Sequence, residues 1–392
     1  MSWEQVKLGD IFEIARGGSP RPIDQYITDD PNGLNWISIK DASNSSKYIY
    51  KTEKKIEPEG LHKTRLVHPN DFLLTNSMSF GRPYIMKTTG CIHDGWLVLS
   101  ADKTKVDTDY FYHLLGSDFM YRKFTGLAAG AVVKNLNTEL VKSVSVPLPP
   151  LAEQRRIASI LDQADELRQK RQQAIEKLDQ LLRVTFIDMF GDPVSNPKGW
   201  DLRSVGEISE SKLGKMLDKK KQSSEIDQYK YLRNANVQWF RFDLSDVFEM
   251  EFNEKDRKNC ELKFGDVLVC EGGEPGRAAI WKNDLENCFF QKALHRVRLD
   301  MTQILPEYFV WLFWFYSKNG GFDDHITVAT IAHLTGVKMK AMQIPIPPLS
   351  LQEDFQQKVN EIEVLKTTLE NSSKLFESLF ESLQNQAFNG TL

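Results

Sequence analysis

Few residues in this chain have the types and spacing that chemistry needs. Cys91 and His93 stand two apart, a thiol and an imidazole of the kind that can form a nucleophile–base pair. Incidental packing explains such a pair more often. Gly272-Gly-Glu-Pro-Gly276 is glycine-rich, as a phosphate-cradling loop must be. It lacks the lysine and the strand-to-helix spacing, so it reads as a turn. The seven histidines show no HExxH or HxxxH spacing, and Cys91, Cys260, Cys270 and Cys288 form no CxxC pair, so a zinc site is not expected. No Asn-Pro-Pro-Tyr tetrapeptide for adenine methylation is present, no FxGxG for S-adenosylmethionine, and no GxxxxGK(S/T) for ATP. The expectation is a protein without an active site of its own.

Composition bounds what remains. The chain has 392 residues, 41% hydrophobic and 27% charged, a balance typical of globular domains. That length predicts two or three domains, each able to bury a core. The first ten residues, Met1–Asp10, hold no basic segment followed by an apolar run, so no signal peptide is expected. The apolar stretch Tyr308–Tyr316 is too short to cross a bilayer. Scattered cysteines then read as reduced thiols in a cytoplasmic protein. The net charge of −4 is unusual for a nucleic-acid binder, but it is unevenly spread. Residues 1–150 carry 18 basic and 17 acidic side chains, and 151–199 carry 8 of each. Residues 200–344 carry 21 and 22, and 345–392 carry 3 and 7, so the deficit sits in the last segment. Neutral globular parts can hold a local basic face, although composition alone does not favour DNA.

A repeat organises the chain. Pro147-Leu-Pro-Pro-Leu-Ala-Glu-Gln154 recurs 198 residues later as Pro345-Ile-Pro-Pro-Leu-Ser-Leu-Gln352. A half-length repeat predicts two related modules with pseudo-twofold symmetry, suited to a target that itself has two halves. In the first module, residues 1–148, strand-like runs at Asn35–Ile39, Asp71–Leu74 and Trp96–Leu99 precede a helical stretch near Asp109–Phe124. The second, 191–346 with its leading linker, repeats the order at Tyr229–Leu232, Asp266–Val269, Arg296–Leu299 and Pro306–Ser317. Trp3 and Trp200 each open a module, and Gly81-Arg82 matches Gly276-Arg277. Otherwise the halves differ widely, as one scaffold with two surfaces would.

Segments 149–190 and 347–392 read as long helices. The first has an apolar stripe of Ile157, Ile160, Ala164, Leu167, Ala174, Leu178 and Leu181. The second has Phe355, Val359, Ile362, Leu365, Leu369, Phe376, Leu379 and Leu383. Each pattern runs for roughly 35 residues, about 50 Å at 1.5 Å per residue. Proline suits the first turn of each, while Gly191-Asp192-Pro193 and Asn389-Gly390 supply stops. A stripe that long exceeds what one module can cover, so each helix needs the other as partner. The expected fold is α+β: two α/β modules in pseudo-twofold tandem, separated by two long antiparallel coiled-coil helices, with the chain ending beside its own beginning.

On the segments PLPPLAEQRRIASILDQAD, PIPPLSLQEDF, FIDMFGDP and FESLQNQAFNGTL, and on the tandem layout, the chain resembles the specificity subunit of type I restriction–modification enzymes. The resemblance covers essentially the full length. It implies that the modules are target-recognition domains, each reading one half of a bipartite, asymmetric double-stranded DNA target. It implies that the helices dock two methyltransferase subunits, with restriction and translocase subunits joining through the complex in phage defence. S-adenosylmethionine, ATP and Mg would then sit on partner subunits, and this chain would hold no cofactor. Ser350-Leu-Gln-Glu-Asp-Phe355 departs from Ala152-Glu-Gln-Arg-Arg-Ile157, which puts one subunit contact in doubt. The neutral charge and missing motifs equally fit a non-catalytic two-module binding scaffold on a coiled-coil spacer, without nucleic acid.

A duplex reader needs cations for phosphates and fork-shaped or amide side chains for base edges. Module one offers Arg16 and Arg21 on a Gly/Pro-shaped loop, Ser77 and Arg82 just after a strand, and Lys134, Asn135 and Asn137. Module two offers Lys212, Lys215 and the run Lys219-Lys220-Lys221, then Arg233 and Asn236, and Arg277 in the place of Arg82. Thr327, Thr330 and His333 fall where module one has Lys134. The lysine run suits phosphates better than bases, because ammonium groups are unoriented point charges. For a single arginine or lysine, solvated surface is the commoner reading.

Overall fold

The protein is described as a computed structural model covering residues 3–76, 81–129, 136–216, 228–325, 327–328 and 332–392. It forms two compact units, Met1–Gln173 with Asn371–Leu392, and Ala174–Glu370. The two long helices, Leu151–Phe190 and Leu349–Asn389, are not bodies of their own; each gives one part to each unit.

Unit one is built on Phe72–Thr75, a strand whose four side chains are all buried. It pairs antiparallel with Trp96–Ala101, which pairs antiparallel with Phe12–Arg16. On its other side lies Pro83–Met86, and then Tyr48–Ile49 in parallel. The alternation of a strand decides which residues face which layer. Phe72 and Leu74 join Phe12 and Leu97 beneath the helices Thr108–Leu115 and Asp118–Ala129. Leu73, between them, points the other way and packs with Ile37, Tyr84 and Trp96. A second sheet runs Ile27–Thr28, Lys54–Ile56, Leu34–Ile37, Gly90–Ile92, Arg65–Val67.

Local chemistry shifts two expected boundaries. The strand expected to reach Ile39 ends at Ile37, because Ser38 caps a short helix, Ile39–Ser43, in a reciprocal capping box with Asp41. The helical stretch near Asp109–Phe124 is two helices, divided at Gly116-Ser117; the Ser117 hydroxyl donates to the Leu114 carbonyl and accepts from the Met120 amide.

Unit two repeats the plan with a four-stranded main sheet in place of five. Ser209–Leu213, Leu294–Leu299, Val267–Cys270 and Ala278–Ile280 form an antiparallel sheet in that order. Val267, Val269 and Val297 face the helix Pro306–Lys318, while Leu268 and Cys270 face a smaller cluster under Phe248–Glu251, Gln228–Leu232 and Phe289–Phe290. The apolar run Tyr308–Tyr316 is the centre of this core. Among the described residues no helix is long and apolar enough to cross a membrane.

The helix segments within each unit run antiparallel. In unit one Arg156 donates to the Leu392 carbonyl, Arg168 lies over the Phe380 ring and Arg171 over Phe376, so partners descend as residue numbers rise. In unit two Asp179 meets Lys366, and Phe186 and Phe190 meet Phe355. Their outer ends also enter the module cores: Ile157, Ala158, Leu161 and Phe388 in unit one, Phe186, Phe190 and Phe355 in unit two.

The seam differs from the expected stripe in an instructive way. Its positions are Gln154, Ile157, Leu161, Ala164, Arg168, Arg171, Ile175, Leu178 and Leu182 on the first helix. On the second they are Gln352, Phe355, Val359, Ile362, Lys366, Leu369, Ser373, Phe376, Phe380 and Leu383. Steps of three and four alternate strictly, as in a heptad. Leu167, Leu181, Leu365 and Leu379 are corrections: all four are exposed, Leu167 at 46% and Leu365 at 53%. All four lie one residue before a seam position, and Leu167 and Leu365 precede seam cations, Arg168 and Lys366.

Candidate nucleic-acid interface

The repeated segment is a joint. Gln154 is wholly buried; its Nε2 donates to the carbonyls of Lys105 and Pro149 at 2.8 Å, and its Oε1 accepts the Asp107 amide at 2.8 Å. Gln352 does the same with Gln303, Pro347 and Leu305. Tyr110 donates to Pro147 at 3.3 Å and Tyr308 to Pro345 at 2.8 Å. The rings of Phe388 and Phe190 stand edge-on to those two tyrosines. The Trp3 indole donates to the Ala387 carbonyl, and that of Trp200 to Phe190. Phe388 at the end of the second helix thus completes unit one, as Phe190 completes unit two. The joint residues proper, from Tyr110 to Phe388, recur 198 positions apart.

Each joint fixes a sheet whose loop end carries residues that differ between the two units. In unit one the loop after Phe12–Arg16 lies directly on backbone: the Gly17 amide donates to Trp96 and the Gly18 amide to Ile92. A Cβ on Gly17 would stand 2.1 Å from the His93 carbonyl oxygen, so only glycine fits. Gly81, at φ +68°, turns the next loop under the Phe124 ring. The Asn76 amide donates to Gly95, and its carbonyl receives the Leu136 amide. Unit two copies these contacts at Gly214, Gly276 under Phe322, Glu271 and Leu334.

Of the candidates in unit one, Arg16, Arg21 and Arg82 are exposed. Arg16 Nε donates to the Asp94 carbonyl at 2.9 Å, Arg21 reaches the Asp94 carboxylate at 3.5 Å, and Arg82 lies over the Tyr84 ring. Asn137 is a helix cap, accepting the Leu140 amide. Ser77, Lys134 and Asn135 lie outside the described residues.

In unit two, four of the candidates are engaged by neighbouring groups of their own unit. Asn236 is 2% exposed and fills a loop, accepting the Arg233 amide and donating to the carbonyls of Asp243 and Asp246. Arg233 is held by Asp246 and stacked 3.5 Å over Phe248. Arg277, 18% exposed, donates to the Asn234 carbonyl and pairs with Glu274. Lys215 pairs with Asp256 at 2.7 Å and donates to the Glu251 carbonyl. All four hold loops of their own unit together. Lys212 is exposed beside Glu210, and His333, half-buried, forms an isolated antiparallel backbone bridge with Gly272. Lys219, Lys220, Lys221 and Thr330, and the side chain of Thr327, lie outside the described residues. The repeat itself marks a further pair: Asp94 and Lys292, 198 residues apart, hold corresponding positions beside Gly95 and Ala293.

The remaining groups are quiet. Cys91 is fully buried, and burial raises its pKa; His93 accepts the Gly95 amide instead of meeting the thiol. Burial likewise pushes Cys270 up to about 11 and Cys288 to about 12. Among the described residues no group of His, Cys, Asp or Glu could hold a metal ion.

Comparison with known proteins agrees with this layout. The chain is similar to the MjaIX specificity subunit of a type I restriction enzyme from Methanocaldococcus jannaschii, 26% identical over 61% of this chain and 57% of the relative. It thus spans little more than half of that relative. The StySPI specificity subunit of Salmonella potsdam is 22% identical over 100% and 89%, and the EcoKI specificity subunit of Escherichia coli 24% over 72% and 65%. In fold it is similar to a chain solved for complex assembly and conformational transition of the type I R-M system, with TM-score 0.65 at 16% identity, covering 100% of this chain and 98% of that one. A type I restriction–modification S subunit from M. genitalium gives TM-score 0.56 at 14%, over 99% and 96%. The family of the type I restriction modification DNA specificity domain matches residues 1–177 and again 197–375, one match for each repeat, and the chain belongs to that family.

Proposed function

We propose that this chain is the DNA sequence-recognition subunit of a type I restriction–modification complex, each unit reading one half of a bipartite target. The observation that supports this best is a shared joint under two unlike tips: the same buried glutamine, tyrosine and phenylalanine contacts recur at a spacing of 198, while the position of Asp94 in one unit is held by Lys292 in the other. A frame held constant under changing loops is what reading two different half-sites requires. The exposed Leu167, Leu181, Leu365 and Leu379, beside the seam, suit docking of methyltransferase subunits. Restriction subunits join through them. The chain is non-catalytic and cytoplasmic, and S-adenosylmethionine, ATP and Mg are bound by its partners.

Methylation sequencing of a host carrying the chain with its methyltransferase partner should give one bipartite motif. Chain alone, with DNA and labelled S-adenosylmethionine, should transfer no methyl group. Absence of any motif, with no gel shift on genomic fragments, would favour a scaffold without nucleic acid.

A further inference from the structure

Four side chains at the tip of unit one gather on Asp94. Its carboxylate accepts the Ser19 hydroxyl at 3.1 Å and Arg21 Nη2 at 3.5 Å. Its carbonyl accepts Arg16 Nε at 2.9 Å and Asn76 Nδ2 at 2.7 Å. The backbone beneath is immobilised by Gly17 and Gly18, whose amides are bonded to Trp96 and Ile92. Partial burial pushes the Asp94 carboxyl up, but the Ser19 hydroxyl, a backbone hydrogen bond and the charges of His93 and Arg16 outweigh it, so it stays ionised.

We propose that Asp94 is a positioning residue for base reading in unit one, holding the Arg16–Arg21 loop so that the Arg21 guanidinium meets a guanine edge. This rests on the DNA-reading function proposed above. A bare carboxylate on a surface that faces phosphates repels them, so its presence calls for a reason. Here it accepts the Ser19 hydroxyl and draws the Arg21 guanidinium towards it, while its own backbone carbonyl holds Arg16 alongside. The Arg21 side chain is 81% exposed, and its contact with Asp94 is single and long. An exposed pair of that kind is weak. The two acceptors of guanine, O6 and N7, offer the bidentate match that this pair lacks, and such a match discriminates between bases. In unit two the frame position of Asp94 holds Lys292, which is exposed. The tip there carries the opposite charge at the corresponding position.

The test uses the chain in complex with its methyltransferase subunits. Affinity is measured on duplexes carrying each base at each motif position, over a range of salt, together with the methylated motif and the melting temperature. Arg21→Ala is expected to lower discrimination at one G·C pair of one half-site by roughly 10- to 100-fold, with the other half-site unchanged. Asp94→Asn is expected to relax the same pair without moving the melting temperature, and Asp94→Glu to restore part of it. The proposal is overturned if Arg21→Ala weakens all duplexes alike and lowers the salt slope by about one, the mark of a phosphate contact. It is also overturned if Asp94→Asn lowers the melting temperature and leaves base preference intact. A wild-type complex that prefers no bipartite duplex defeats the DNA-reading function itself, before any variant is compared.

Discussion

Gln154 and Gln352 use both amide protons and the carbonyl oxygen in full burial, so truncation strands polar groups of a loop that water cannot reach. Leaving buried groups unpaired costs about 1–3 kcal/mol. Gln154→Ala and Gln352→Ala should each lose roughly that much in chemical denaturation, while Gln154→Glu should lose more by burying a charge. Arg82 and Arg277 share a frame position but not a role. Arg82→Ala should alter DNA binding at an unchanged melting temperature, and Arg277→Ala should lower the melting temperature, because only Arg277 ties loops together. His295 is buried, and its Nε2 finds no hydrogen-bond partner among the described residues. Burial lowers its pKa, against the opposing charge of Glu271. The unfolded chain then takes the proton first as pH falls. The contribution of a neutral His295 is complete above the ordinary histidine pKa of about 6.5 and is lost as pH falls through the lower folded value. Melting between about pH 7.5 and about pH 5.5 should show a decline that is smaller in His295→Gln.

The elements that matter most are the two long helices, and their seam is not uniformly apolar. Its middle holds Arg168 and Arg171 over Phe380 and Phe376 in unit one, and Lys366 against Asp179 in unit two. Polar groups in a coiled-coil seam commonly fix register at some cost in stability. The outer ends carry the packing. Phe186 lies between Tyr308, Phe315 and Phe355, with ring centroids 5.6, 4.7 and 5.4 Å away. Phe186→Ala should therefore cost about 3–5 kcal/mol. Leu181→Ala, on the exposed side of the same helix, should stay within about 0.5 kcal/mol in the isolated chain. Equal losses for the two would contradict the seam as described.

At the scale of the molecule, the chain closes unit one with its own last residues. Phe388 packs on Tyr110, and Arg156 holds the Leu392 carbonyl. Deleting the last five residues should therefore destabilise the first unit rather than the second, which hydrogen exchange on each unit would show. Under the proposed function, helix length sets the gap between half-sites. Seven residues added to both helices, after Gln173 and after Glu370, keep the heptad phase and add about 10 Å at 1.5 Å per residue. Duplex DNA rises about 3.4 Å per base pair, so the spacer should grow by about three. An active variant with an unchanged spacer would remove the helices as the ruler.

The sequence by itself determined the duplicated plan. The 198-residue repeat, the apolar strands at Phe72–Thr75 and Val267–Cys270, and the proline-led helices are local signals, since short-range periodicity and backbone propensity are written in consecutive residues. Only the tertiary structure decided what each polar residue does. Arg82 and Arg277 look alike in sequence, yet one lies exposed over the Tyr84 ring and the other is bound by Glu274 and the Asn234 carbonyl, groups set by a neighbouring loop. Leu167 and Leu365 look like seam residues because they are apolar, yet Arg168 and Lys366 take the seam positions. Long side chains reach buried sites with their stems while their charges find an aromatic face or a carboxylate across the pair. That choice depends on which residues the fold brings opposite, and no single segment of the chain contains it.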